Sequence, residues 1–122
     1  MKSYHINLEL ETLKNEDYRR VLFTGPNTQL VLMALSPGVE IGTEHHTGHD
    51  QFIRVEAGSG KAILDGEEIM LADGSGLVIT AGTEHNIINT SETETMKLYT
   101  LYSPPEHPDG TVQSTKADEI AH

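Results

Sequence analysis

Short apolar runs, each closed by a glycine-bearing turn, limit what this chain can fold into. Residues 29–35 (QLVLMAL) form the most apolar run, and 51–57, 62–64, 69–71, 77–79, 85–89 and 96–102 follow it at close spacing. Between them stand Pro37-Gly38, Gly58-Ser59-Gly60, Asp65-Gly66, Asp73-Gly74-Ser75-Gly76 and Ala81-Gly82. Runs this short, bounded by turn residues, fit strands better than helices. Asp65-Gly66 is a hairpin signal, because a two-residue type I′ turn needs positive φ at both central positions. Residues 5–10 alternate Ile6, Leu8 and Leu10 against Asn7 and Glu9, which predicts a half-buried strand, and 18–23 end in another apolar segment. Thr12 is a candidate cap for one helical turn, with no sustained 3.6-residue period after it. The expected architecture is all-β, an antiparallel barrel or sandwich. The glycines lack the spacing ahead of a helix that dinucleotide binding requires.

The 122 residues suit a single domain, 1–122. Lys and Arg number 8 against 19 Asp and Glu, a formal net charge of -11. Such a surface repels phosphate backbones and anionic lipid, so neither nucleic acid nor a membrane is an expected partner. With no cysteine, disulfides, thiolate metal sites and cysteine nucleophiles are excluded. No stretch is long and apolar enough to span a bilayer, and the default expectation is a cytoplasmic protein. Residues 103–122 change character, with Pro104, Pro105 and Pro108 removing donors and restricting their neighbours. This extension reads as an extended surface segment. It then straps across the barrel, exchanges with a neighbouring subunit or forms one short helix.

The chemistry concentrates in 42–60. Glu44 and His46 are two apart, so on a strand they share a face and His45 points away. Gln51 follows after a bend, and His85 lies in a distant strand. Two imidazoles, a carboxylate and an amide oxygen on convergent strands suit a divalent ion: imidazole suits Fe, Ni, Cu and Zn, and the carboxylate and amide oxygens also suit Fe and Mn. His49, in the bend, reads as a pocket residue, a surface residue or an alternative ligand. The plainer possibility is a loop histidine cluster, with His85 satisfied by a backbone carbonyl.

At this point the sequence resembles the cupin superfamily. Gly38, Glu44, His46, Gln51 and Gly58 fall at the positions of its first motif, and Gly74, Thr80, Gly82, His85 and Asn89 at those of its second. Glu44 stands where a histidine is usual, Gln51 where a glutamate is usual, and Thr80 where a proline is usual. The match covers 29–102, and the tail from Ser103 to Asp118 resembles small bacterial cupins labelled by similarity to mannose-6-phosphate isomerase. The resemblance implies a double-stranded β-helix, or jelly-roll barrel. It also implies a metal near the mouth held by Glu44, His46, Gln51 and His85, and a homodimer.

For function, a metal with open positions can bind a small chelating organic molecule, as a dioxygenase or lyase would, with His49 as the candidate proton-transfer residue. A sugar isomerase is a second possibility. It would call on His49, Glu56 or Tyr99 for acid–base work and on Lys97 or Arg20 for a phosphate. Glu56 and Arg54 have the opposite parity to Gln51 and are expected to face outward. Outside catalysis, the same pattern suits a module that binds a small molecule beside a structural metal, or a purely structural barrel.

Overall fold

In the computed structural model, which describes residues 3–121, one short helix precedes ten strands. They are α1 (Leu8–Lys14), β1 (Arg19–Thr24), β2 (Gln29–Leu35), β3 (Glu44–His45), β4 (Asp50–Ala57), β5 (Gly60–Leu64), β6 (Glu67–Leu71), β7 (Gly76–Ile79), β8 (Glu84–Asn89), β9 (Met96–Ser103) and β10 (Val112–Gln113). A 3₁₀ helix, Lys116–Ala121, follows. Six strands form one sheet in the order β10-β1-β2-β9-β4-β7, and four form the other in the order β3-β8-β5-β6. Every pairing between these strands is antiparallel. Two facing antiparallel sheets with crossing connections make the expected all-β jelly roll.

The core lies between the sheets. Val31, Met33 and Leu35 of β2 meet Ile53 and Val55 of β4, Met96 and Leu98 of β9, and Ile87 of β8 in one buried cluster. These residues alternate along their strands, as the pleat requires. The turns follow the sequence signals. Asp65 and Gly66 both adopt positive φ, 47° and 85°, and Leu64 pairs Glu67 across them. Gly60 is required by contact rather than by φ. A Cβ there would sit 2.2 Å from Ile88 O and from Met96 Cε.

Three expectations are corrected. Residues 5–10 are not a half-buried strand, since 8–14 are helical. Asn7 caps the helix, its side chain accepting from Leu10 N at 3.2 Å. Glu9 and Glu11 in the first turn and Lys14 in the last complement the helix dipole. Thr12 is therefore interior and not a cap. It is fully buried, and its hydroxyl donates to Leu8 O at 2.7 Å. Three apolar residues at even spacing were too few to fix a period. Leu10, 49% exposed, is not a core residue at all. Glu56 does not face solvent either. Arg54 Nε donates to its carboxylate at 3.2 Å, and the Glu56 side chain is 7% exposed.

The segment after β9 is a strap across the barrel. β10 pairs with β1, and Arg19, 2% exposed, donates to Gln113 at 2.7 Å and to Glu119 at 2.9 Å. Burial pushes the Glu119 carboxyl up, but the hydrogen bond and charge of Arg19 outweigh it and hold it below its ordinary value. No helix among the described residues is long and apolar enough to cross a membrane.

Candidate metal centre

The centre is built where β3 and β8 of the small sheet meet the ends of β4 and β9. Glu44 and His85 are directly paired across antiparallel strands, so their side chains stand on one face. Glu44 Oε1 lies 3.9 Å from His85 Nε2 and 3.6 Å from His46 Nε2. The His46 and His85 rings are 5.3 Å apart. Ligand atoms of Glu44, His46 and His85 all fall within 4.8 Å of one another. His45, between two of them in sequence, is exposed on the other side.

Local structure fixes each group. His85 Nδ1 lies 3.0 Å from Thr83 O, so Nδ1 carries the proton and the lone pair is left on Nε2. The turn holding Thr83 has a hydrogen bond from Thr83 N to Thr80 O at 3.1 Å, and the two hydroxyls lie 3.0 Å apart. Hydrogen bonding thus does what a proline ring would do at position 80. Gly82 N donates to His46 O at 2.7 Å, tying the two motifs together. Asn89, the last residue of the second motif, serves the fold instead. It is 1% exposed, donates to Leu35 O, Ser36 O and Glu94 O, and accepts from Ser91 N.

Gln51 enters from β4, 4% exposed, and donates to Thr100 Oγ1 at 3.0 Å. Its Oε1 is left buried without a partner, as are His46 Nε2, His49 Nε2 and His85 Nε2. Such orphaned atoms are uncommon because each costs about 1–3 kcal/mol. The His46 and His85 nitrogens converge on the Glu44 carboxylate, and two imidazoles with a carboxylate, joined by an unpartnered amide oxygen from β4, match the donor set of a divalent ion. The residues present therefore fit a metal.

A second set surrounds His46 on its other side. Its Nδ1 lies 3.7 Å from Glu106 Oε2, and His49 Nδ1 lies 3.6 Å from Glu106 Oε1. The His46 and His49 rings are 4.5 Å apart, and His49 meets the Tyr102 ring edge-on at 5.4 Å. Burial, then the neighbouring His46 charge, hold the His49 imidazole below its ordinary value, with Glu106 opposing. Burial and the Arg19 charge push His107 down to about 4. Burial pushes the Tyr102 phenol well up.

Glu106, His107 and Tyr102 escaped the sequence reading. Glu106 and His107 sit among prolines, in a stretch that reads as surface. Gln29, which anchors them, has a readable signal: it shares the inward parity of Val31, Met33 and Leu35. Lys97, a candidate for binding phosphate, is engaged elsewhere, donating to Asn15 O with its ammonium 3.5 Å from Glu16.

Residues 31–102 match the family model described as "Cupin domain". The chain is 47% identical to an uncharacterized protein, L612, of Acanthamoeba polyphaga mimivirus, over 89% of this chain and 70% of that protein. It is 42% identical to the uncharacterized protein YrkC of Bacillus subtilis (strain 168), over 98% of this chain and 67% of that protein. The crystal structure of BH2720 from Bacillus halodurans superposes with a TM-score of 0.96 at 39% identity, covering 99% of this chain and 96% of that one.

Proposed function

The chain belongs to the cupin family, and from that premise we propose that it holds a divalent metal through Glu44, His46, Gln51 and His85 and acts there on a small chelating organic molecule. The reading rests on one observation above the rest: His46 Nε2, His85 Nε2 and Gln51 Oε1 are all buried and unpartnered. An oxygen-rich set favours Mn or Fe, with Ni and Zn next. When bound, such an ion polarises the chelating oxygens of a substrate. The chain's own residues supply the rest. Glu44 supplies negative charge, and Thr100 turns the Gln51 oxygen inward by accepting from its nitrogen. His49 is the proposed proton carrier at Nε2, neutral near pH 7 because burial holds its pKa low. Dioxygenase or lyase chemistry needs no further cation, which suits a site where Lys97 is occupied on other partners.

Mn(II) titration of chelator-treated protein by calorimetry tests the reading. One ion per chain is expected, with at least about a 1,000-fold loss of affinity in His85→Ala, beyond the 10–100-fold typical of indirect partners. Equal affinity in that variant would remove the assignment. Oxygen consumption during turnover then separates a dioxygenase from a lyase.

Three narrower readings accompany this one. The chain is proposed to be a single domain with its barrel motifs in 29–102. It is also proposed to fall among the small bacterial cupins labelled as mannose-6-phosphate isomerase-like, on the strength of its tail. A homodimer is proposed through the outer face of the large sheet, where Phe52, Leu101 and Val78 leave apolar surface and Val78 is 65% exposed. Light scattering that gives a monomer mass at micromolar concentration would sink the dimer.

A further inference from the structure

Glu106 lies sixty residues beyond His46 in sequence and on a segment outside both motifs. Its place is set by Gln29, which is fully buried at the start of β2. Gln29 Oε1 accepts from Glu106 N at 3.1 Å and from His107 N at 3.0 Å. Gln29 Nε2 donates to His107 O at 2.7 Å and to Thr24 Oγ1 at 2.9 Å. Every hydrogen-bonding group of this amide is therefore committed, three of four contacts being to the strap backbone. Further along, Val21 N donates to Thr111 O at 2.9 Å, and Arg19 holds Gln113 and Glu119. The strap is docked at three places along β1 and β2, and the first of these aims Glu106 at the histidines.

His46 has two ring nitrogens with different surroundings. Nε2 faces Glu44, and Nδ1 faces Glu106. Both nitrogens have a carboxylate at similar range, Glu44 at 3.6 Å from Nε2 and Glu106 at 3.7 Å from Nδ1. An ion held at Nε2 beside Glu44 would take that lone pair and place the single proton of the neutral ring on Nδ1, facing Glu106. The 3.7 Å separation is about 1 Å longer than a charge-assisted hydrogen bond, and the other oxygen of the same carboxylate lies 3.6 Å from His49 Nδ1. His85 obtains the same orientation from Thr83 O on its own turn. For His46 the strap supplies a carboxylate instead.

We propose that Glu106 is a positioning residue for His46, and that docking of the 103–113 strap and metal occupancy are thermodynamically coupled through it. The proposal rests on the metal reading above. Coupling is reciprocal: if the docked strap tightens metal binding, metal binding tightens strap docking by the same factor. Gln29, which is not itself among the proposed ligands, then belongs to the energetics of the site.

Mn(II) affinity, Co(II) absorption and hydrogen exchange on the full chain test it. Glu106→Ala is expected to weaken Mn(II) binding about 10–100-fold and to shift the Co(II) visible bands. Glu106→Gln, whose amide oxygen still accepts from Nδ1, is expected to restore most of the affinity. Gln29→Ala is expected to weaken binding in the same direction. Mn(II) is expected to slow exchange of the Glu106 and His107 amides in the native chain, and not in Glu106→Ala. Unchanged affinity in Glu106→Ala, with the native chain still binding one ion, overturns the proposal and leaves the metal reading standing. Failure of the native chain to bind Mn(II) or Co(II) overturns both. Two ions per native chain, falling to one in Glu106→Ala, would make His46, His49 and Glu106 a ligand set of their own and overturn the positioning role as well.

Discussion

The two histidines at the heart of the centre are oriented by different kinds of structure. His85 is set by a turn two residues away, through Thr83 O, and its strand is pinned at the far end by Asn89. His46 sits just past a two-residue strand, and its Nδ1 faces Glu106, carried on a strap from the other end of the chain. The first arrangement is local and short in sequence. The second depends on long-range contacts that form only when the barrel and strap are both in place. One side of the site is therefore expected to be rigid and the other conditional.

The largest effect expected on this picture is the loss of metal in His85→Ala, since it removes a nitrogen already oriented by its own turn. A smaller and different effect is expected at the other end of β8. Asn89→Ala removes four hydrogen bonds and leaves carbonyls of Leu35, Ser36 and Glu94 without that donor, a cost of about 3 kcal/mol in urea unfolding. Under native conditions its Mn(II) affinity should stay within about threefold of the parent, because distant sites add independently. If Asn89→Ala instead loses metal as His85→Ala does, the strand side is not the rigid one.

The same contrast explains what could be read from the sequence. That Glu44, His46 and His85 come together was legible because motif spacing is a short-range property, with Glu44 and His85 paired across β3 and β8 and His46 just past β3. The sheets were legible because Gly and Asp-Gly turns divide the apolar runs. The helix at 8–14 was missed because it packs no apolar stripe into the core, Leu10 and Leu13 being exposed, while its real signal was Asn7 ahead of Glu9 and Glu11. Glu106 was invisible for a different reason. Nothing in a Pro-rich stretch says which buried amide will receive it, and Gln29 lies 77 residues away.

The smallest effect concerns acid, and it falls on the conditional side. His107, on the strap, is held down to about 4 by burial first and by Arg19 second. An unfolded histidine takes up a proton near 6.5. Between these values the unfolded chain binds more protons than the folded one, so stability falls as pH falls from about 6.5 and the loss is complete near pH 4. A shift of this size corresponds to about 3 kcal/mol for a wholly buried ring, and His107 retains some exposure, so about 2 kcal/mol is expected. Burial of His49 acts in the same direction. Metal-free protein denatured in urea at pH 7, 5.5 and 4 gives the measurement, with His107→Gln as the control. The variant should lose about 2 kcal/mol less than the parent between the two ends. Parallel curves would mean that the ring finds water in the folded state, and that the strap is no more acid-sensitive than the strands it crosses.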